Sequence, residues 1–115
     1  MTHFTHEKIQ GIDVIRFCFN EIGLQQREVM KKELDSVIPE NGGKFLFNLS
    51  GVGFLSSLAI ATMVFFAKKV RERGGEVKLC AASEGTRNVI KIVQLDKVFE
   101  IFDTEREAMK NFTGE

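Results

Sequence analysis

At 115 residues, with 43% hydrophobic and 28% charged, the chain is long enough for one compact domain and too short for two. Sixteen Lys and Arg balance sixteen Asp and Glu, for a formal net charge of zero. That excludes the basic surplus of a typical nucleic-acid binder and the charge excess of a disordered acidic tail.

In chain order, residues 2–9 and 12–19 read as two strands meeting near Gly11-Ile12-Asp13. Val14, Ile15, Phe17, Cys18 and Phe19 supply the β-branched and aromatic character. Asn20-Glu21-Ile22-Gly23 is a connection to a helix over 24–38. There Met30, Leu34, Val37 and Ile38 form one apolar stripe. Pro39 and Asn41-Gly42-Gly43 stop that helix. The run 45–49, Phe-Leu-Phe-Asn-Leu, does not alternate and reads as a strand buried on both faces.

Residues 50–55 are predicted as a loop, followed by a helix over 57–73 with a basic last turn and a Gly74-Gly75 stop. Within it Ile60, Met63, Val64 and Ala67 are spaced to face the sheet, so Val64→Asp is expected to unfold the domain. Leu58, Ala59 and Thr62 are expected on its early, outward side. A strand over 76–81 follows. Ser83 is then placed to cap a helix through about 93, with Val89, Ile90 and Val93 inward. Residues 98–102 suggest a short strand. Thr104-Glu105-Arg106-Glu107 fits a capping box opening a last helix with Ala108, Met109 and Phe112 on its apolar side. The order β-β-α-β-α-β-α-(β)-α predicts a single α/β domain over 1–115. Its mixed sheet has four to five strands with about four helices packed on it, and the unit over 45–81 is a right-handed parallel crossover.

The apolar run 58–67 is half the length of the roughly 20 residues a membrane span needs, so it predicts a buried helix and no direct membrane insertion. Met-Thr-His-Phe-Thr-His-Glu-Lys at the start carries no apolar signal region, and the expected location is the cytoplasm.

Catalytic groups are scarce. Cys18 and Cys80 sit in apolar runs and are expected as two buried thiols; their separation makes no zinc site. His3 and His6, the only imidazoles, lie near the start with no supporting cysteine or carboxylate cluster, so no metal site is expected. A Ser-His-Asp or Cys-His arrangement has no placed histidine, and no enzyme activity or cofactor is expected. Gly51-Val52-Gly53-Phe54-Leu55-Ser56 falls short of a dinucleotide-binding glycine motif. Its third glycine is Ser56, and Phe54-Leu55 is bulky where the cofactor would lie.

What remains is Ser56-Ser57 at a helix start. Both are suited to capping, and a hydroxyl there can also accept a phosphoryl group, adding about −1.5 to −2 charge.

At this loop the sequence resembles the STAS domain of sulphate transporters and anti-sigma factor antagonists. The resemblance rests on Asn48-Leu49-Ser50-Gly51-Val52-Gly53-Phe54-Leu55-Ser56-Ser57-Leu58-Ala59-Ile60, on the basic helix end at Arg71-Glu72-Arg73-Gly74-Gly75-Glu76, and on the stretch 88–104 followed by Glu107-Ala108-Met109. It implies an antagonist that controls transcription by phosphorylation-dependent binding to an anti-sigma factor serine kinase, with a serine phosphatase reversing the modification. By position the acceptor is Ser57, with Ser56 as the alternative. Gly53, Phe54, Ser56, Leu58, Ala59 and Thr62 are the expected partner contacts. Here Ser56, Leu58 and Ala59 stand where the family pattern has Asp, a small residue and Gly. Two other readings stay open: a non-switching STAS module, such as a scaffold or a subunit on a lipid transporter's ATPase, and a nucleotide or small-ligand binder using the loop and the second helix.

Overall fold

The computed structural model describes residues 4–19, 24–53 and 55–114. The chain opens with a hairpin in which β1 (Phe4–Ile9) runs antiparallel to β2 (Ile12–Phe19), with Ile9 opposite Ile12. The connection is two residues long, and Gln10 and Gly11 both take positive φ, 52° and 81°. Both central positions of a tight hairpin turn of this hand require that conformation.

Then follow α1 (Leu24–Val37), β3 (Lys44–Val52), α2 (Ser57–Glu72), β4 (Glu76–Cys80), α3 (Glu84–Ile92), a 3-10 turn at Leu95–Lys97, β5 (Glu100–Phe102) and α4 (Glu105–Thr113). The five strands lie in sequence order, β1-β2-β3-β4-β5, and every pair from β2 onward is parallel. The result is the predicted small α/β domain with a mixed sheet and four helices. The connection Asn20-Glu21-Ile22-Gly23 lies outside the described residues.

β3 is the middle strand, and Phe45, Leu46, Phe47 and Leu49 are fully buried. Its two faces belong to two cores. Phe45, Phe47 and Leu49 pack with Met30 and Leu34 of α1, Ile38 just after it, and Met63, Phe66 and Val70 of α2. Leu46 packs on the other face with Ala108 and Phe112 of α4, together with Val14 and Cys80. A strand covered on both sides has no polar face to show, which is why its sequence does not alternate. β3 also runs further than 45–49, taking in Ser50, Gly51 and Val52 of the expected loop. Gly51 permits this. A Cβ there would lie 2.4 Å from the Phe17 carbonyl oxygen of β2, beside the register irregularity between Arg16 and Cys18.

The helix ends are fixed as their residue types dictate. Ser56, Ser83 and Thr104 each accept, through a side-chain oxygen, the backbone N–H three residues on. After α2, Gly75 N–H reaches back to the Val70 carbonyl and Gly74 sits at φ 92°, a glycine-terminated helix stop.

The rotation of α2 differs from the expected one. Its buried residues are Ala59, Thr62, Met63, Phe66, Ala67 and Val70. Met63 and Ala67 face the sheet as predicted, but Ile60 is half-buried and Val64 is 36% exposed. The helix is apolar around more than one stripe, so spacing left its rotation open by one position. The bulk of Phe66 settles it by packing against Phe45 and Phe47. Val93 is likewise corrected to exposed, at 45%, because it caps the C-terminal end of α3 beyond the inward-facing Ile90. Residues 98 and 99 precede β5 rather than joining it; the 3-10 turn takes up the chain there, and Phe99 N–H bonds the Leu95 carbonyl.

Cys18 is exposed and Cys80 buried, so only one of the two expected buried thiols is buried. Cys18 lies toward the far end of β2, outside the cluster that α4 covers. Burial, aided by the negative charge of Glu105, pushes the Cys80 thiol up to about 12.

Two outcomes follow from this packing. Phe66→Ala should cost about 3–5 kcal/mol in urea denaturation, while Val64→Asp should stay within ~1 kcal/mol of the parent. Because the Cys80 thiolate forms only as pH approaches about 12, a disulfide reagent at mildly alkaline pH should label Cys18 in the native chain and reach Cys80 only after denaturation.

Candidate functional site

The site is built where β3 ends and α2 begins, at the carboxyl edge of the parallel strands. Within the last part of β3, the Asn48 Oδ1 accepts the Ser50 N–H at 2.9 Å, a local side-chain bond to the strand's own backbone. Leu55, 3% exposed, anchors the loop into the core. Ser56 is extended, with φ −74° and ψ 163°. Its Oγ accepts the Ala59 N–H at 3.2 Å, and its carbonyl accepts the Ile60 N–H at 2.9 Å. The Ser56 hydroxyl is therefore occupied as the cap.

Ser57, the next residue and the first of α2, is exposed. The tandem serines thus divide their work by one peptide unit. The first turns its oxygen back onto the helix, and the second turns outward. The donors of the first turn that Ser56 does not satisfy, on Ser57 and Leu58, have no intrahelical carbonyl to bond, and the dipole end favours negative charge.

The expected partner contacts separate in the structure. Gly53 is exposed, and Ser56 and Leu58 are half-buried. Phe54 lies outside the described residues. Ala59 and Thr62 are 0% and 2% exposed, which corrects their expected outward position. They are on the sheet-facing stripe set by Phe66. The Thr62 hydroxyl is also engaged, donating to the Leu58 carbonyl at 2.8 Å and accepting from Arg27 Nε of α1 at 3.1 Å. Neither residue has a side chain free for a partner.

Sequence reasoning missed a groove that begins at Ser57. Beside Ser57, the residues Ile60, Ala61, Val64, Phe65 and Lys68 line an open groove of about 530 Å³, completed by Arg27 of α1 and Val93 at the end of α3. The α2 members recur at helical spacing, one position from the core stripe, and that spacing was the available signal. A smaller hollow of about 270 Å³ lies between the loop and α3, lined by Gly53, Leu55, Gly85, Thr86 and Val89. Its lining carries no charged side chain to hold a nucleotide phosphate.

Among the described residues, no three His, Cys, Asp or Glu are placed to hold a metal ion. His6 instead meets Asp13, Nε2 to Oδ1 at 2.8 Å. His3 lies outside the described residues. No helix among them is long and apolar enough to cross a membrane.

The parallel sheet, the serine-capped α2 and the loop that joins them coincide with a known family. The STAS domain family model matches residues 3–108, and the chain belongs to that family. Its relatives carry the name anti-sigma factor antagonist. A protein of Thermotoga neapolitana named as a candidate of that kind is 28% identical over 112 residues, spanning 96% of this chain and 98% of its own. An anti-sigma factor antagonist (STAS) domain protein from Planctomyces limnophilus superimposes with a TM-score of 0.84 at 24% identity, covering 96% of this chain and 97% of its own. The Bacillus cell fate determinant SpoIIAA, solved in its phosphorylated form, superimposes with a TM-score of 0.70 at 20% identity, covering 95% and 98%.

The division between the serines has a measurable consequence. Ser56→Ala should cost ~1 kcal/mol in chemical denaturation, because it strips the α2 cap, whereas Ser57→Ala should leave the midpoint nearly unchanged.

Proposed function

We propose that this chain is a cytoplasmic, non-enzymatic anti-sigma factor antagonist. It binds an anti-sigma factor serine kinase in a manner controlled by phosphorylation of Ser57 and reversed by a serine phosphatase. The observation that carries the reading is the exposed Ser57 hydroxyl on the first turn of α2. The neighbouring Ser56 is already committed to the cap. A neighbour in the same fold, SpoIIAA, has been solved phosphorylated, and relatives bear the antagonist name.

Physics supports both halves of such a switch. A phosphate on Ser57 brings about −1.5 to −2 charge to a helix N-terminus, where negative charge is favoured, so the fold tolerates it. The same charge at a partly apolar contact must be desolvated or repelled when a partner docks, so binding does not tolerate it. Leu58, half-buried beside Ser57, and Gly53 are the expected contacts that remain accessible at this end of α2. Ser56, in the position where the family pattern has Asp, supplies the cap without a charge.

Incubation with the cognate serine kinase and ATP, followed by phosphopeptide mapping, should place phosphate on Ser57 and none on the Ser57→Ala variant. Ser57→Asp should melt like the parent and bind the kinase at least tenfold more weakly, equivalent to ~1.4 kcal/mol, while Ser57→Ala should bind and stay bound. Phosphate on Ser56 would move the site by one residue. Absence of phosphate with a kinase shown to be active would overturn the switch in favour of a non-switching STAS module.

A further inference from the structure

We propose that the groove beside Ser57 seats an amphipathic helix of the partner whose flanks are acidic. The inference deepens the antagonist reading and rests on it for the identity of the partner as a protein.

α2 carries two apolar stripes. One, through Met63, Phe66 and Val70, is spent on the sheet. The other, through Ile60, Ala61 and Val64, lines the groove of about 530 Å³, which Val93, just past the end of α3, also lines. Val64 and Val93 are 36% and 45% exposed, and Ile92 next to Val93 is 79% exposed. Apolar surface gathered from two helices into one concavity is the form in which helix-in-groove recognition occurs, with the ligand anchored at i, i+3, i+4 and i+7.

Charge selects the ligand. The groove lining contains Arg27 and Lys68 and no Asp or Glu, although the chain as a whole is balanced at sixteen of each sign. Lys31 Nζ stands 4.0 Å above the Phe65 ring, adding a third cation beside the lining. Asp35 is paired with Lys69 at 2.8 Å, while Glu28, 3.6 Å from Arg27 Nη1, partly offsets that cation, so Lys68 and Lys31 carry most of the charge of the rim. An apolar floor with a cationic rim complements an apolar helix face with carboxylates on its flanks. It disfavours a second copy of this chain, whose own groove would present the same cations. Ser57 also lines the groove, so a phosphate there would stand on the rim and repel the acidic flank.

The test is a titration of the isotope-labelled full chain, followed by amide shifts, with two synthetic helical peptides. They share one leucine face, and one bears glutamates on its flanks where the other bears lysines. The glutamate peptide should shift the amides of Ile60, Ala61, Val64 and Val93 and bind at least tenfold more tightly than the lysine peptide at low salt. The preference should shrink as salt rises. Val64→Asp, with unchanged melting, should lose the glutamate peptide, and Lys68→Glu should reverse the preference.

Failure of the glutamate peptide to bind, equal affinity for both peptides, or shifts centred elsewhere would overturn the assignment. So would shifts at the same amides on concentrating the chain alone, the sign of a second copy. None of these measurements depends on a kinase. Peptide failure alongside phosphorylation of Ser57 removes the groove assignment alone, and groove binding by a chain that no active kinase modifies removes the switch alone.

Discussion

Phe66 of α2 stands edge-on to Phe45, ring centres 5.1 Å apart and planes at 89°, and also meets Phe47 at 5.3 Å. Such pairs contribute about 0.5–1.5 kcal/mol beyond their buried area, and they are directional. Here direction matters more than magnitude. Phe45 and Phe47 project from the same face of β3, and a ring held against both fixes the rotation of α2 about its axis. Once that is fixed, every other position on the helix is assigned. Ala59 and Thr62 go inward, Ser57 goes outward, and Ile60, Ala61 and Val64 are left to line the groove.

The same constraint explains how a loop at the carboxyl edge of the sheet becomes a defined surface rather than a loose one. β3 is held by parallel ladders on both sides and by a helix layer on each face. Gly51 lets β2 approach closely at its end, the Asn48 side chain bonds the Ser50 N–H, and Leu55 is buried before the serine cap begins. By the time the chain reaches Ser57, its backbone is committed to the helix and little but the side chain remains to be modified or contacted. A negative charge added at such a point would meet a helix N-terminus without disturbing the packing beneath it.

The side of the sheet away from α2 is organised differently. Lys78 of β4 is buried on the side that α4 covers, and its ammonium meets polar and aromatic groups there. Its ammonium bonds Asn111, lies 3.3 Å from Glu100 Oε1 and sits 4.8 Å from the Phe112 ring centre. Arg16 ties β1 to α4 on this side, 2.8 Å from Glu7 and 2.9 Å from Glu105, and the hydrogen bond to Glu7 leads the influences that hold its guanidinium above its ordinary range. These are links that hold α4 in place. The apolar groove with a cationic rim is on the α2 side, next to the exposed Ser57.

The sequence by itself determined the order of elements, the strand buried on both faces, the serine and threonine caps and the glycine stop. Each of these is a local property: alternation or its absence, a hydroxyl before an apolar run, a glycine after one. For the tandem serines it left Ser57 and Ser56 as alternatives, the first favoured by position through the family resemblance, and only the structure shows Ser56 committed to the cap. The tertiary structure decided whatever depended on an angle between elements. Val64 and Val93 were expected inside and lie at the surface, and Ala59 and Thr62 were expected outside and are buried. Cys18, in an apolar run, is exposed because α4 covers a different part of its face. In each case the residue sits on an element apolar around more than half its circumference, or at an end where the covering layer stops. Hydrophobic spacing measures the period of such an element and not its phase. Only the large side chains of the neighbouring strand, Phe45 and Phe47 above all, supply the phase.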